Sequence, residues 1–224
     1  IDISEFKEGD SFTHINGTEI CRKYVISCRG EGSGNKTKGQ TKKFKRIDNK
    51  IFPEHWDTDK LLRNLDKYKE TDQVIVTQKL HGTSGRFTNQ VVAKKLTWKD
   101  KIAKFFGVQV KEVEYDTLAG SRRVIKDIKA NTDHEHYYSV DIWNTWLERI
   151  QHIIPKNWVL YGEIVGYTEG NKEIQKNYSY DCPESTSALY IYRITIVNED
   201  GIVLDLSWDQ IKEFCINNGI KHVP

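Results

Sequence analysis

Hydrophobic residues along the chain recur in two patterns, one typical of strands and one typical of helices. Short apolar or aromatic runs bounded by turn residues predict five strands, at about 73–80, 84–96, 158–167, 188–197 and 202–206. The first run contains Val74-Ile75-Val76, which we expect to be buried. We expect a turn near Asn89 in the second run, and Asn198-Glu199-Asp200-Gly201 predicts a hairpin turn between the last two.

Other segments repeat their apolar residues at helical spacing and predict four helices, at 58–68, 98–106, 138–153 and from Ser207 to near Gly219. Thr58 is the expected cap of the first helix, and Ser207 with Gln210 forms a capping box for the last. The residues expected on buried helix faces are Leu61, Leu62, Leu65 and Tyr68 in the first and Val140, Trp143, Leu147 and Ile150 in the third. The order of elements predicts an α+β fold with mixed, mainly antiparallel sheets and flanking helices.

The composition is that of an ordinary globular protein. The 224 residues are 38% hydrophobic and 29% charged, and no apolar run approaches the ~20 residues that a membrane helix needs. The start, Ile1-Asp2-Ile3, lacks the basic and apolar segments of a secretion signal. We therefore expect a cytoplasmic protein.

The first 45 residues differ in composition from the rest. From Arg29 to Arg46, seven basic residues accompany one acid and several glycines, which predicts a flexible basic loop. Such a loop can follow an RNA backbone, because each neutralised phosphate releases counterions. It can equally be a solvated loop with no partner. We expect an N-terminal segment at 1–45 and one larger domain at 46–224.

One lysine lies at the end of the first predicted strand. Lys79 is followed by Leu80-His81-Gly82-Thr83-Ser84. A lysine there can act as a covalent nucleophile, because burial or neighbouring cations lower its pKa and free its amine lone pair. Gly82 lets the backbone turn and lets a ligand approach closely. The same residue types also mix freely in surface turns, so this segment alone does not identify a nucleophile.

Three later segments could form a site with this lysine. Arg122 and Arg123 follow a small-residue turn and suit phosphate oxygens, although salt bridges in an exposed turn would explain them too. Glu163 lies in an apolar strand, where a carboxylate needs a ribose hydroxyl, a hydrated metal ion or a lysine as partner, unless it faces water from an edge strand. Tyr190 and Tyr192 would share a strand face on which a base can stack, but aromatic residues on strands are more often core.

Together these segments resemble the ordered motifs of the covalent nucleotidyltransferases, and among them the ATP-dependent RNA ligases. Lys79-Leu80-His81-Gly82 is similar to the first motif, Lys-x-(Asp or His)-Gly, and Ser121-Arg122, Gly162-Glu163 and the strand 189–194 follow in the family's order. The histidine form resembles the RNA-repair and RNA-editing ligases, since DNA ligases and capping enzymes have aspartate there. The first 45 residues are similar, more loosely, to the start of some phage RNA ligases, and a phage-encoded protein would be located in the host cytoplasm.

The resemblance covers about residues 46–224 and implies the ATP-grasp-like adenylylation fold of these ligases. It implies ATP and Mg²⁺ or Mn²⁺ as cofactors, and a monomer that acts on RNA 5′-phosphate and 3′-hydroxyl ends through AMP bound covalently to Lys79. The implied catalytic residues are Lys79, Glu163 and Arg122, with Glu163 near the ribose or, through water, near the metal ion. The implied nucleotide-binding residues are Gln78, Lys79, Leu80, His81, Gly82, Arg86, Arg122, Arg123, Glu163, Tyr190 and Tyr192.

Two motifs of these ligases have no counterpart in the sequence. The fourth, Glu-Gly-x-Val-x-Lys, and the fifth, Lys-x-Lys, follow the last helix in the family, and we expect the domain to be truncated before them. Glu199-Asp200-Gly201-Ile202-Val203 imitates the fourth but lies in the predicted hairpin. A DNA ligase or an mRNA-capping-type nucleotidyltransferase remains open as an alternative. So does a non-catalytic RNA-binding module, in which Lys79 and the arginines hold phosphates.

Overall fold

The computed structural model describes residues 14–15, 17–19, 46–130 and 140–224. The chain divides into two units, Ile1–Lys42 and Lys43–Pro224. In the first unit, strands β1 (His14–Ile15) and β2 (Thr18–Glu19) form an antiparallel hairpin. Apart from Arg46, the predicted basic loop lies outside the described residues.

Seven strands in the described part of the second unit form one sheet. Their bounds are β3 Thr83–Ala93, β4 Val113–Ser121, β5 Ile125–Lys126, β6 Trp158–Gly166, β7 Ser187–Val197, β8 Val203–Asp205 and β9 Lys221–His222. The order is β5-β4-β3-β6-β7-β8 with antiparallel neighbours, and β9 pairs with β7 in parallel. Together with the flanking helices, this sheet confirms the predicted α+β class.

The strands predicted at 158–167 and 188–197 are confirmed as β6 and β7, and the hairpin into β8 turns at Asn198 as expected. The turn predicted near Asn89 is wrong, because β3 passes straight through this residue, which pairs with Thr117. Asn89 satisfies its side-chain amide by donating to the Ile154 carbonyl at 3.0 Å instead of turning its own backbone. Strands β4 and β9 were not predicted from the sequence, because β4 is buried at one end only and β9 has two residues.

The described α-helices are α1 (Trp98–Phe105), α2 (Ile142–Ile150) and α3 (Trp208–Asn217). Thr97 and Ser207 each complete a capping box, which explains where α1 and α3 begin. The helix predicted at 138–153 is shorter, because Asp141 caps α2 and a 3₁₀ turn, Gln151–Ile153, follows it. Residues 138–139 lie outside the described part of the chain. No helix within the described ranges is long and apolar enough to span a bilayer.

The two faces of the sheet are covered differently. On the helix face, α2 and α3 pack against the buried strand residues Phe87, Leu160, Ile164, Leu189, Ile191 and Ile194. On the opposite face, here called the cleft face, a second cluster contains Ile47, Phe52, Val92, Leu118, Val159, Tyr161 and Val197. Because side chains alternate along a strand, β6 sends Leu160 and Ile164 to the helix face and Tyr161 and Glu163 to the cleft face.

Two predicted elements before β3 are wrong. Segment 58–68 forms two 3₁₀ turns, Leu61–Arg63 and Leu65–Lys67, because Asn64 between them has a φ of −134°, outside the helical range. Segment 73–80 is not part of the sheet, and Val74-Ile75-Val76 is 57–89% exposed. An apolar pattern describes the segment itself and does not reveal whether a neighbouring strand pairs with it.

Candidate active site

A cleft with a volume of about 680 Å³ opens on the cleft face where β3 begins. It is lined by His55, Trp56, Asp57, Thr58, Thr77, Gln78, Lys79, Leu80, His81, Gly82, Ser84, Arg122, Glu163, Gln175, Tyr192 and Val223. Most of the predicted site residues are therefore brought together. The predicted residues that do not line the cleft are Arg86, Arg123 and Tyr190.

Lys79 lies between two anchored neighbours. Leu80 is buried in a small apolar cluster with Val165, and the Gln78 N–H donates to the Pro224 carbonyl at 2.8 Å. Lys79 itself is exposed and lines the cleft. Its backbone is fixed on both sides while its side chain faces the space where a ligand would bind.

At position 82 two backbone segments approach so closely that only glycine fits between them. A Cβ atom at this position would lie 2.1 Å from the Ile164 carbonyl oxygen of β6. The Gly82 N–H donates to Glu163 Oε1 at 2.9 Å. The space that we expected a ligand to use is therefore filled by β6, and Gly82 joins the Lys79 segment to the Glu163 carboxylate.

Glu163 has an unusual environment for a carboxylate. Burial raises its pKa from 4.5 to about 7, against the opposing effects of the Gly82 N–H and of the positive charges on Lys79 and Arg122. Strand β6 lies between β3 and β7, so Glu163 is not on an edge strand. A carboxyl whose pKa is raised beside a lysine in a cleft is typical of a functional site.

A β-bulge places Tyr192 at the cleft. The residues before and after Tyr192 pair with Gly162 and Tyr161 of β6, so Tyr192 itself has no cross-strand partner. Its hydroxyl lies 3.3 Å from Ser84 Oγ, and burial raises its pKa. Tyr190, two residues away, instead accepts a hydrogen bond from Lys221 at 3.4 Å outside the cleft lining.

The predicted phosphate-binding arginines have different environments. Arg122 lines the cleft and forms an ion pair with Asp57, and both side chains are at least half exposed. Arg86 is 1% exposed, and its guanidinium donates to the Phe52 carbonyl at 2.6 Å and to the Ser121 carbonyl at 3.1 Å. Two of its donors thus hold backbone segments together, and Nη2 is buried without a hydrogen-bond partner among the described residues. The phosphate contact of Arg86 stays a prediction.

One wall of the cleft was not predicted from the sequence; it is formed by the segment from His55 to Thr58. The His55 ring lies 5.1 Å from the Tyr192 ring in an edge-on contact. Burial and then the charges of Arg193 and Arg122 lower the pKa of His55, which favours the neutral form of its imidazole. A histidine, a tryptophan and an aspartate in succession are a weak signal for a site, and no periodicity indicates that they fold over Tyr192.

The cleft combines groups that suit a nucleotide. Lys79 and Arg122 can hold phosphate oxygens, and Tyr192 offers an aromatic ring. Among the described residues, no three His, Cys, Asp or Glu side chains lie close enough together to hold a metal ion. Mg²⁺ binds in many sites through one or two carboxylates and the substrate phosphates. Glu163 is a carboxylate of the cleft that fits this arrangement.

The model of the RNA ligase family matches residues 72–224. The chain therefore belongs to the RNA ligase family, which confirms the resemblance at this level. The matched range contains Lys79, Arg122, Glu163 and Tyr192, but the His55 wall lies before it. No curated protein matches the chain. Membership indicates an RNA ligase-type domain whose substrate is RNA.

Proposed function

We propose that the protein is an ATP-dependent RNA ligase that joins an RNA 3′-hydroxyl to an RNA 5′-phosphate through a lysyl-AMP intermediate. One observation carries the proposal, namely that Lys79, Arg122, Glu163 and Tyr192 come from four separate segments and line one cleft. RNA as the substrate follows from the family. The chemistry of the cleft supports a nucleotide as the second substrate.

Lys79 is the proposed nucleophile. After its ammonium loses a proton to solvent, the Nζ lone pair forms a bond to the α-phosphorus of ATP. The bond from that phosphorus to the bridging oxygen breaks, and pyrophosphate leaves with the electron pair. Arg122 balances the charge of the phosphate oxygens, since a guanidinium can donate two parallel hydrogen bonds. Mg²⁺ or Mn²⁺, when bound with the phosphates, neutralises further charge.

Glu163 and Tyr192 orient the nucleotide. Glu163 uses Oε1 to accept from Gly82, and its other oxygen contacts a ribose hydroxyl or a water molecule of the metal ion. Tyr192 stacks on the adenine ring, and the Gln78 side-chain amide offers both a donor and an acceptor to the adenine edge. Tyr190 is less suited to this role because it lies outside the cleft lining.

Two further phosphoryl transfers complete the reaction. An oxygen of the RNA 5′-phosphate attacks the phosphorus of the lysyl-AMP, the N–P bond breaks and Lys79 regains a proton. The RNA 3′-hydroxyl then attacks the adenylylated 5′-phosphate, a phosphodiester forms and AMP leaves. Each step is a displacement that depends on positioning and on charge neutralisation, so the same cations can serve all three.

Labelled ATP and Mg²⁺ test the proposal directly. With ATP labelled at the α-phosphate, we expect covalent label on the wild-type protein that survives denaturation and alkali but is released by acid, as a P–N bond requires. The label should be lost in Lys79→Ala, because no other amine replaces the missing nucleophile. The matched control is Lys99→Ala, which removes an exposed lysine on α1 outside the cleft lining and should keep the label. Thermal unfolding should show both variants folded, since surface substitutions change stability by about 0.5 kcal/mol or less.

The alternatives give different results in the same assay. Label from GTP in place of ATP would point to a capping-type enzyme, and sealing of nicked DNA in preference to nicked RNA would point to a DNA ligase. If the wild-type protein takes label from neither nucleotide and fails to seal pre-adenylylated RNA, the proposed activity is excluded and an RNA-binding module remains.

A further inference from the structure

An aromatic ledge, defined here as His81, Tyr178 and Tyr180, lies beside the cleft. The centroids of the His81 and Tyr178 rings are 4.8 Å apart with an interplanar angle of 38°, and the Tyr178 and Tyr180 rings are stacked at 6.1 Å. The backbone N–H of His81 donates to the Tyr180 hydroxyl at 2.8 Å. Two tyrosines from the loop 167–186 are thereby attached to the segment that carries Lys79.

The loop holds these tyrosines in a fixed and strained backbone. Asn177, Tyr180 and Asp181 have φ values of 65°, 49° and 56°, in the left-handed region. Asparagine and aspartate tolerate this region, but a tyrosine rarely adopts it. Hydrogen bonds within the turns hold this backbone conformation, including one that the Tyr178 N–H donates to the Gln175 carbonyl at 3.1 Å. Such strain persists where surrounding contacts enforce it, and it is found mostly at functional sites. Long loops of this kind also carry function more often than short ones.

The strain does not serve to bury Tyr178. This side chain is 42% exposed, while Tyr180 packs against the apolar cluster around Leu80. One ring anchors the ledge, and the other presents an aromatic surface to solvent. An exposed, rigidly mounted aromatic ring is the arrangement on which nucleic-acid bases stack, whatever their sequence.

The ledge begins at the rim of the cleft. His81 lines the cleft two residues after Lys79, and Gln175 lines it from the same loop as Tyr178. A cation lies on the same apolar cluster, because Tyr180 and Tyr190 both pack on that cluster and Lys221 Nζ is 5.2 Å from the Tyr190 ring centroid. Tyr192 lies inside the cleft lining and Tyr178 outside it, so the two rings are suited to different bases.

We propose that Tyr178 is a stacking site for the base of the terminal nucleotide of an RNA strand whose end lies at Lys79, with Lys221 close to its phosphate backbone. The inference rests on the proposed function for what happens at that end, but the binding of RNA to the ledge can be measured separately. Recognition is by the π-face of the base, so it tolerates any sequence and favours an unpaired or end-stacked nucleotide.

Binding of a short 5′-phosphorylated single-stranded RNA, followed by fluorescence anisotropy at low salt, tests the proposal. Tyr178→Ala should weaken binding about tenfold, the effect of losing one base–aromatic stack. Tyr178→Phe keeps the ring and should bind like wild type, whereas Tyr178→Leu keeps bulk without a π-face and should bind like the alanine variant. Tyr115→Ala is the matched control, because Tyr115 is similarly exposed, at 40%, but pairs with Val91 near the other end of β3.

A second readout locates the contact. With 2-aminopurine as the 5′-terminal base, wild-type protein should quench its fluorescence and Tyr178→Leu should not, whereas an internal 2-aminopurine should respond equally to both proteins. Equal affinity of wild type and the Ala and Leu variants would overturn the proposal. So would a Phe variant as weak as Ala, since the hydroxyl would then be the contact.

Failure of the proposed function gives a separate result. If wild-type protein takes no label from ATP and seals no RNA, yet Tyr178→Ala still weakens RNA binding, the ligase proposal fails and the stacking site stands. If label and sealing are found but the Tyr178 variants bind RNA like wild type, the stacking site alone is overturned.

Discussion

The two faces of strand β6 differ in what they bury. On the helix face, Leu160 and Ile164 are fully buried among apolar side chains from α2, α3 and the neighbouring strands. On the cleft face, Glu163 is largely buried with a raised pKa, and Nδ1 of His55 is buried without a hydrogen-bond partner among the described residues. Neighbouring residues of β6 thus lie in two environments, a close-packed apolar core and a polar cleft that is shielded from water.

The comparison separates stability from function. Close packing on the helix face follows from removing apolar area from water and stabilises the fold. Desolvated polar groups on the cleft face cost stability, because a charge loses more in leaving water than its partners return. Replacing a desolvated polar group of the cleft can therefore increase stability and remove function, whereas truncating a buried apolar side chain on the helix face lowers stability.

The largest effect is expected at Gly82, where the Lys79 segment lies against β6. Gly82→Ala would put a Cβ atom 2.1 Å from the Ile164 carbonyl oxygen, so the Lys79 segment or β6 must move. We expect a loss of about 3 kcal/mol in the free energy of unfolding, together with loss of label from ATP. Urea unfolding and the labelling assay measure the two effects.

Gly170→Ala is the control for the change from glycine to alanine. Its nearest neighbour would be Thr168 Oγ1 at 3.9 Å, in ordinary contact. This variant should unfold within about 0.5 kcal/mol of wild type. If Gly82→Ala and Gly170→Ala are equally stable, β6 moves at Ile164 without cost. The contact between Gly82 and Ile164 would then not be what fixes the Lys79 segment.

The second largest effect is expected on the pH dependence of stability, through the charge of Glu163. The raised pKa of Glu163 means that the folded protein holds the proton more tightly than the unfolded chain does. The stability that protonated Glu163 contributes is therefore fully present below pH 4.5 and is lost as the pH rises through about 7. Glu163→Gln should equal wild type in stability near pH 4.5 and exceed it by about 1–3 kcal/mol at pH 8. Urea unfolding across this range measures the difference.

Leu160→Ala, on the helix face of the same strand, sharpens the contrast. It should lose about 3 kcal/mol at every pH, because it leaves a cavity and changes no titratable group. Glu163→Gln should also lose ATP labelling, since an amide has one acceptor oxygen where Glu163 uses two, one for the Gly82 N–H and one for the ribose hydroxyl or the metal-bound water. A stability difference between Glu163→Gln and wild type that does not vary with pH would contradict the raised pKa.

The same contrast explains which elements could be predicted from the sequence. Strands β6 and β7 are apolar on both faces along most of their length, so their runs predict burial correctly. The run at 74–76 is equally apolar yet exposed. Whether a strand is paired depends on a distant segment, which no local pattern contains.

Within the site, Lys79, Arg122, Glu163 and Tyr192 could be predicted because each bears a reactive or aromatic group and their segments follow in the order of the family's motifs. Arg86 could not be judged in this way, since a guanidinium fork suits a phosphate and a pair of backbone carbonyls equally well. The His55 wall could not be found because its contacts are with residues distant in sequence. Predictions from the sequence are thus better for the chemistry of single segments than for their contacts.

The smallest effect is expected at the rim of the cleft, in Asp57→Asn. The side chains of the Asp57–Arg122 ion pair are 73% and 52% exposed, and exposed pairs contribute about 0–1 kcal/mol. The unfolding temperature should therefore change by no more than about 2–4 °C. Loss of the Asp57 charge releases the Arg122 guanidinium to phosphate and removes repulsion of ATP, so we expect KM for ATP to fall about threefold at low salt.

The salt dependence and one control make this last prediction specific. Added salt should remove the KM difference, because exposed charges are screened. Asp200→Asn removes an exposed acid in the turn between β7 and β8 and should leave KM unchanged. A higher KM in Asp57→Asn would mean that Asp57 orients Arg122 instead of competing for it. In either case KM would change without a change in stability. Residues of the cleft rim would then differ from the buried side chains of the helix face, which all support the fold.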